Sequence, residues 1–352
     1  MILESLLNNS GEWLKGKGPD ANIVLSSRIR IARNIKKFIF PCRISSQDRT
    51  KVLSSVNYAR NKSNFLRNFV VIKMSDISLL DRQFLLERHL ISQEHISAPE
   101  GKAVLLRKDE ISSIMINEED HLRIQVIKSG FDLQSSWEIA NRIDNEFSKN
   151  IEFAFSPSLG YLTSCPTNTG TGMRASCMIH LPGLVMTKRI NRVLELINKL
   201  SFATRGFFGE GTQALGNFFQ VSNQVTLGLS ETEIIQNLAS IIQQLKNQEL
   251  DARGYMLAKY KLSLEDKIWR ALGILKSSRL ISSQETLGYL SLLRLGSDLG
   301  IISNLEKEVI NNLFIVIQPA HLQKIVKKEL SYQNRDYTRA KILRERLEKI
   351  SL

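Results

Sequence analysis

Cysteine is scarce. The three in 352 residues, Cys42, Cys165 and Cys177, build no disulfide framework and match no zinc-ligand spacing, so a reducing, cytoplasmic setting is expected. Long apolar runs are also missing: the longest, Leu313 to Ile317, is far short of the ~20 residues that cross a bilayer. Met1-Ile2-Leu3-Glu4-Ser5 lacks the basic-then-apolar layout of a signal peptide, and no membrane segment is expected. With only 7 prolines and 19 glycines, no low-complexity linker or internal repeat stands out. Aromatics are 7% of the chain and the basic residues are scattered, which argues against a stacking platform for direct nucleic-acid binding. What is there is charge and core. A balance of 48 Lys and Arg against 35 Asp and Glu gives +13 and favours anionic partners, such as nucleotide phosphates or acidic protein surfaces. Length and a 43% hydrophobic content suit one large domain plus a smaller one.

The densest chemistry lies in Asn117-Glu118-Glu119-Asp120-His121-Leu122-Arg123. Ile111 to Ile116 before it, and the alternation of Leu122, Ile124 and Val126 after it, read as strands, so the acids cap a hairpin and can face a cleft. Upstream, residues 1–22 read as an amphipathic helix followed by a Gly16 to Pro19 break. Ile23 to Asn34 reads as a strand that puts Arg28 and Arg30 on one face, a pair of guanidinium forks suited to a polyphosphate. Ser45 to Glu100 is helical pattern and loop, and Trp137 to Phe147 reads as a helix. Gly160 to Arg174 is a loop of small residues between Cys165 and Arg174 that lets backbone approach a bound group. It is neither a Walker loop nor a dinucleotide fingerprint, so arginines would have to hold any phosphate.

Thr187 to Ser201 reads as a helix. Arg205 to Thr212 is a glycine-framed loop around Glu210 that could close over a ligand. Alternation from Phe219 to Leu227 predicts a strand, followed by a helix from Glu231 to about Asp251. Three apparent capping boxes, Ser263 with Asp266, Ser282 with Glu285 and Ser303 with Glu306, then predict a separate helical domain whose last helix starts near Asn334.

Together, Ser26-Ser27-Arg28-Ile29-Arg30, the acidic hairpin, Cys165-Pro166-Thr167-Asn168-Thr169-Gly170-Thr171-Gly172-Met173-Arg174 and Arg205 to Glu210 resemble the guanidino (phosphagen) kinases, in order and spacing, over roughly residues 20–252. Creatine and arginine kinases place a helical domain ahead of the S-x-R-x-R block. Here the block begins at Ser26. That short start, Gly209-Glu210-Gly211-Thr212 and Arg335-Asp336-Tyr337-Thr338-Arg339-Ala340 look like the bacterial protein-arginine kinases of the McsB type.

The resemblance implies an α+β fold, an antiparallel sheet flanked by helices, then an all-α C-terminal domain. The expected division is residues 1–22 as helix and linker, 23–252 as catalytic domain and 253–352 as a helical domain for dimerisation. It implies ATP contacts at Ser26, Ser27, Arg28, Ile29, Arg30, His89, Arg123, Arg174, Ala175, Ser176, Cys177, Met178, Arg205, Gly206, Phe207, Phe208, Gly209 and Glu210, with Met178 where creatine kinases have a nucleotide-contacting His. It also implies phosphoarginine binding at Arg335, Asp336, Tyr337, Thr338, Arg339 and Ala340. The partners it suggests are protein substrates, a zinc-binding activating adaptor, a heat-shock repressor and a Clp unfoldase.

A protonated guanidinium must be gripped and must lose a proton as its nitrogen attacks phosphorus. Glu119 is the expected base and orienting group and Glu210 the second clamp, with Glu118 and Asp120 supporting them or holding metal-bound water. Cys165 is expected to position the guanidinium. Mg²⁺ is expected on the ATP phosphates and water, with no direct protein ligand. A kinase of a free guanidine and a non-catalytic phosphoarginine reader are the alternatives.

Overall fold

The computed structural model describes residues 2–207, 215–348 and 350. Helix α1 (Ile2–Asn8) and a 3-10 turn (Glu12–Leu14) lead into the central strand β1 (Val24–Arg33). Next along the chain are α2 (Ser46–Lys62), β2 (Val70–Lys73), α3 (Leu79–Glu87), α4 (Gln93–Ile96), β3 (Ala103–Leu106), β4 (Ser112–Ile116), β5 (Leu122–Ser129) and α5 (Leu133–Ser148). A small hairpin, β6 (Phe155–Ser156) and β7 (Gly160–Tyr161), precedes β8 (Met173–His180), α6 (Pro182–Met186), α7 (Ile190–Lys199), β9 (Phe202–Arg205) and β10 (Phe218–Asn223). The rest is helical: α8 (Glu231–Ser277), α9 (Ser283–Asp298), α10 (Lys307–Val316), α11 (Pro319–Val326) and α12 (Tyr332–Leu347).

Eight strands form one antiparallel sheet in the order β2-β3-β4-β5-β1-β8-β10-β9. Alternation along β1 sorts its side chains: Ile29 and Ile31 join the core beneath α2, α5 and the first half of α8, while Arg28 and Arg30 face the other way. A second core, including Phe218, Leu272, Leu290 and Phe314, ties the helical region to the sheet.

Several sequence expectations are corrected. The N-terminal helix spans only Ile2–Asn8, because Gly11 starts the 3-10 turn and Gly16 takes a left-handed φ of 65°. The strand expected from Phe219 to Leu227 is Phe218–Asn223, and Val225 and Leu227 lie outside it, exposed. β2 and β9, each four residues long, were not foreseen. Ser263 starts no helix. It lies inside α8, which is capped by Ser230 and Glu233 and runs to Ser277 with one kink at Tyr260. Positions 252 and 253 lie in α8 ahead of that kink. Ser282 does cap α9, its side chain accepting from the Glu285 N–H. Ser303 does not cap α10, whose N-cap is Glu306, because Asn304 adopts a left-handed φ of 61° between them.

Candidate active site

A cleft of about 870 Å³ opens over the centre of the sheet. One wall is arginine: Arg28 and Arg30 from β1, Arg123 from β5, Arg174 from β8 and Arg205 from β9. Register explains the grouping, since Arg30 pairs across from Arg174 on one side, and Gln220, which also lines the cleft, pairs across from Arg205. These cations are desolvated and repel one another. Burial, then the charges of Arg123, Arg205 and Arg174, holds Arg28 down to about 10, and burial followed by the same neighbours and Arg28 lowers Arg30 well below the ordinary range. Arg28 donates to Gln220 Oε1 at 2.9 Å. The buried Nε and Nη2 of Arg30 have no partner among the described residues. A fold keeps such a group only where something anionic completes it, and a polyphosphate fits. The third arginine of β1, Arg33, does other work: it grips Asp144 of α5, donates to the Thr171 carbonyl at 2.8 Å and lies over the Tyr161 ring at 3.4 Å.

The opposite wall carries the acidic turn, and its three carboxylates have separate fates. Glu118 is buried, ion-paired with Arg123, and accepts from Ser92 Oγ at 2.5 Å and from the Glu119 N–H at 2.9 Å. Asp120 is buried too, its Oδ1 accepting from Asn34 Nδ2 at 2.6 Å and the Ser164 N–H at 2.7 Å. Glu119 alone is exposed to the cleft, and its carboxylate has no hydrogen bond or ion pair among the described residues. Partial burial, then the neighbouring Asp120 charge, raises its pKa. A left-handed Asn117 (φ 58°) makes the turn, its amide donating to the Arg49 and Gly101 carbonyls. His121 is structural: Nδ1 accepts from the Ile35 N–H at 3.0 Å, so Nε2 donates to Ile39 O at 3.1 Å.

Cys165, Thr167, Asn168 and Gly172 bring the small-residue loop to the same cleft, with Cys165 Sγ 3.0 Å from Thr167 Oγ1. Gly172 has φ 65°, and a Cβ there would meet the Ala32 carbonyl at 2.6 Å. Thr226 Oγ1 holds the loop by donating to the Thr167 and Thr169 carbonyls.

His89 closes another side. It occupies the left-handed position (φ 58°) after α3, with its N–H on Leu86 O and the next N–H, from Leu90, on Leu85 O, the arrangement in which glycine is usual. Its ring stands edge-on between Trp13 and Phe207, and burial holds it down to about 3. Ser26, Ser176 and Met178 line a smaller recess that shares Arg28, His89 and Gln220 with the main cleft.

Not every expected ATP contact reaches the cleft through its side chain. Ile29, Ala175 and Cys177 are in the core on the other side of the sheet, and Ser27 is fully buried, donating to Gly130 O at 2.9 Å. Burial pushes the Cys177 thiol up to about 12. Gly206 is buried and Phe207 lines the cleft, while Phe208, Gly209, Glu210, Gly211 and Thr212 lie outside the described residues. The sequence reading also missed Trp13, Ser92, Glu94, Lys102 and Gln220, which line these recesses. For Gln220 the signal was present, as a polar side chain on the strand face opposite core residues Phe219 and Val221.

The second expected site lies apart, on α12. Arg339 is buried, donating to Ile317 O at 2.9 Å, Ile281 O at 2.8 Å and Asp336 Oδ1 at 2.5 Å. Arg335 is half-buried beside the Tyr332 ring, Thr338 donates to Asn334 O, Tyr337 is exposed and Ala340 is in the core.

A cationic wall on an antiparallel sheet, facing a free carboxylate, is a phosphotransferase site for a basic acceptor. The chain belongs to the ATP:guanido phosphotransferase family, whose C-terminal catalytic domain matches residues 51–252. The protein-arginine kinase McsB C-terminal domain matches residues 261–352. Over 99% of both chains it is 46% identical to the protein-arginine kinase of Desulforamulus reducens and 47% identical to that of Bacillus cereus. Among solved structures, lombricine kinase superposes with a TM-score of 0.60 at 25% identity, over 69% of this chain and 71% of that one. The duplicated taurocyamine kinase of Schistosoma mansoni gives 0.61 at 25% identity, over 67% of this chain and 34% of that one.

Proposed function

We propose that this protein transfers the γ-phosphoryl group of ATP to arginine side chains of other proteins. Carrying the reading is the meeting in one cleft of Arg30, whose Nε and Nη2 have no partner among the described residues, and Glu119, whose carboxylate has none among them either. The arginine wall would hold the polyphosphate, and Mg²⁺, which prefers phosphate oxygens and water, would travel with it and spread its charge. Glu119 would orient the acceptor guanidinium and take its proton as one terminal nitrogen bonds to the γ-phosphorus. The bond from phosphorus to the bridging oxygen then breaks and ADP leaves. Glu210, outside the described residues, is the proposed second clamp and Cys165 a positioning group.

Dimerisation through the helical region and allosteric binding of phosphoarginine at Arg335 to Ala340 belong to the same reading. So does a stress-response role in the cytoplasm, with a zinc-binding adaptor, a heat-shock repressor and a Clp unfoldase as partners. No described helix is long and apolar enough to cross a membrane.

Incubation with ATP, Mg²⁺ and either free arginine or an unfolded arginine-rich protein, read by mass spectrometry that preserves acid-labile phosphate, tests the activity. Label on protein arginines is expected. Label on free arginine alone would transfer the reading to a small-guanidine kinase, and no label with ATP bound would favour a phosphoarginine reader.

A further inference from the structure

Glu87 is the last residue of α3, and a carboxylate at a helix C-terminus is poorly placed, because it faces the negative end of the helix dipole. Its partners come from far along the chain. Oε1 accepts from the Ala320 N–H at 2.8 Å, and Oε2 from the His321 N–H at 3.0 Å and from His321 Nδ1 at 2.7 Å. Those are the first free amides of α11, whose own N-cap, Gln318, supplies no side-chain cap. Glu87 therefore caps a helix of the C-terminal region from the catalytic sheet's side of the molecule.

The two residues after Glu87 make the contact more than an interface bond. Arg88 is buried and clamped on Glu110 and the Asn9 carbonyl, and His89 enters the cleft from a backbone conformation that is strained for a non-glycine residue. A strained turn persists only when its flanks over-determine it. One flank is Gln125, whose amide donates to the His89 carbonyl at 2.6 Å. The other is Glu87. The interface between α3 and α11 also has an ion pair, Lys324 with Asp81, but Asp81 sits in the first turn of α3, at the end away from His89.

We propose that Glu87 is a positioning residue for nucleotide binding: by capping α11 it fixes the left-handed turn that presents His89 to the cleft, coupling the helical region to ATP affinity. The proposal rests on the reading of His89 as part of the ATP site. The test is ATP affinity of the full-length protein by calorimetry, beside its melting temperature, for Glu87→Ala, His321→Ala, Lys324→Ala and His89→Ala. Glu87→Ala and His321→Ala are expected to weaken ATP binding about tenfold, and their double variant no further than the worse single. Lys324→Ala, at the far end of the same interface, is expected to lower the melting temperature while holding ATP affinity within about twofold. Should Glu87→Ala not fold, Glu87→Gln, which keeps one accepting oxygen, is expected to show about a threefold loss.

ATP affinities that track melting temperature equally across Glu87, His321 and Lys324 variants would reduce Glu87 to an interface contact and overturn the proposal. Wild-type affinity in Glu87→Ala with weakened His89→Ala would overturn the bridge and leave the site reading intact. Wild-type affinity in His89→Ala would remove the premise of both.

Discussion

Arg123 and Glu118 pair across the turn they flank, and the pairing decides which acid is left for chemistry. Glu118, buried against Arg123 and Ser92, anchors the turn, and Asp120 is taken up by Asn34 and the Ser164 amide. Of the three acids of the turn, Glu119 is the one whose carboxylate has no partner among the described residues and opens on the cleft.

The neutral isosteres of the two glutamates should therefore separate. Glu119→Gln is expected to lose about 10²- to 10⁴-fold in kcat, the usual range for a general base, with an unchanged melting temperature. Glu118→Gln leaves half-buried Arg123 without its carboxylate, so it should cost about 1–3 kcal/mol of stability by denaturant titration. Equal activity losses at unchanged stability in both would contradict this division.

The arginine wall predicts opposite signs for stability and activity. Arg30→Met removes a desolvated guanidinium that repels Arg28, Arg123, Arg174 and Arg205, so nucleotide-free protein should melt higher than wild type. The same change should cost ~2–4 kcal/mol of transition-state stabilisation if Arg30 acts like a single oxyanion donor. ATP should also raise its melting temperature less than it raises that of wild type. A destabilised Arg30→Met protein would show that this desolvated cation is not a liability.

Acidity gives a further handle. Glu119 acts as base only when ionised, and burial plus Asp120 hold its pKa above the ordinary 4.5. As pH falls, Glu119 is thus protonated earlier than a free glutamate, and kcat/KM should drop along an acid limb with its midpoint above 4.5. Burial lowers all five histidines, His89 to about 3 and His95 and His121 to about 4. An acid limb that survives in the residual activity of Glu119→Gln would belong to another group.

Much of this site could be read from the chain because strand alternation is a local rule. Arg28 and Arg30 two apart, and an acidic stretch between two strand patterns, already implied a cationic face and an acidic turn beside it. The same rule, applied to the expected ATP contacts one by one, would have put Ser27, Ile29 and Cys177 on the far face. What it could not sort was Glu118 from Glu119, since that depends on Ser92, a residue from another segment. Capping signals misled for a related reason. Ser263-Leu264-Glu265-Asp266 reads as a helix start, yet the kink in α8 falls earlier, at Tyr260, and Leu264 and Ile268 already pack beyond it in the core of the helical region. Whether Glu210 joins Glu119, the convergence expected from the sequence, concerns a residue outside the described ones.

On α12 the expected phosphoarginine fork divides into unequal halves. Arg339 commits its donors to Ile317 O, Ile281 O and Asp336, so Arg339→Ala should destabilise the helical region by about 2–4 kcal/mol, whatever it does to ligand binding. Among the described residues Arg335 has no such commitments beyond the Tyr332 ring, and Arg335→Ala should leave stability within about 0.5 kcal/mol. If phosphoarginine binds here, Arg335 is the side chain free to meet its phosphate. Calorimetry with free phosphoarginine should then show Arg335→Ala weakened while still melting like wild type. Unaltered affinity in Arg335→Ala would move the phosphate contact elsewhere, because a guanidinium held by two carbonyls and a carboxylate has to break those bonds before it can turn to a new anion.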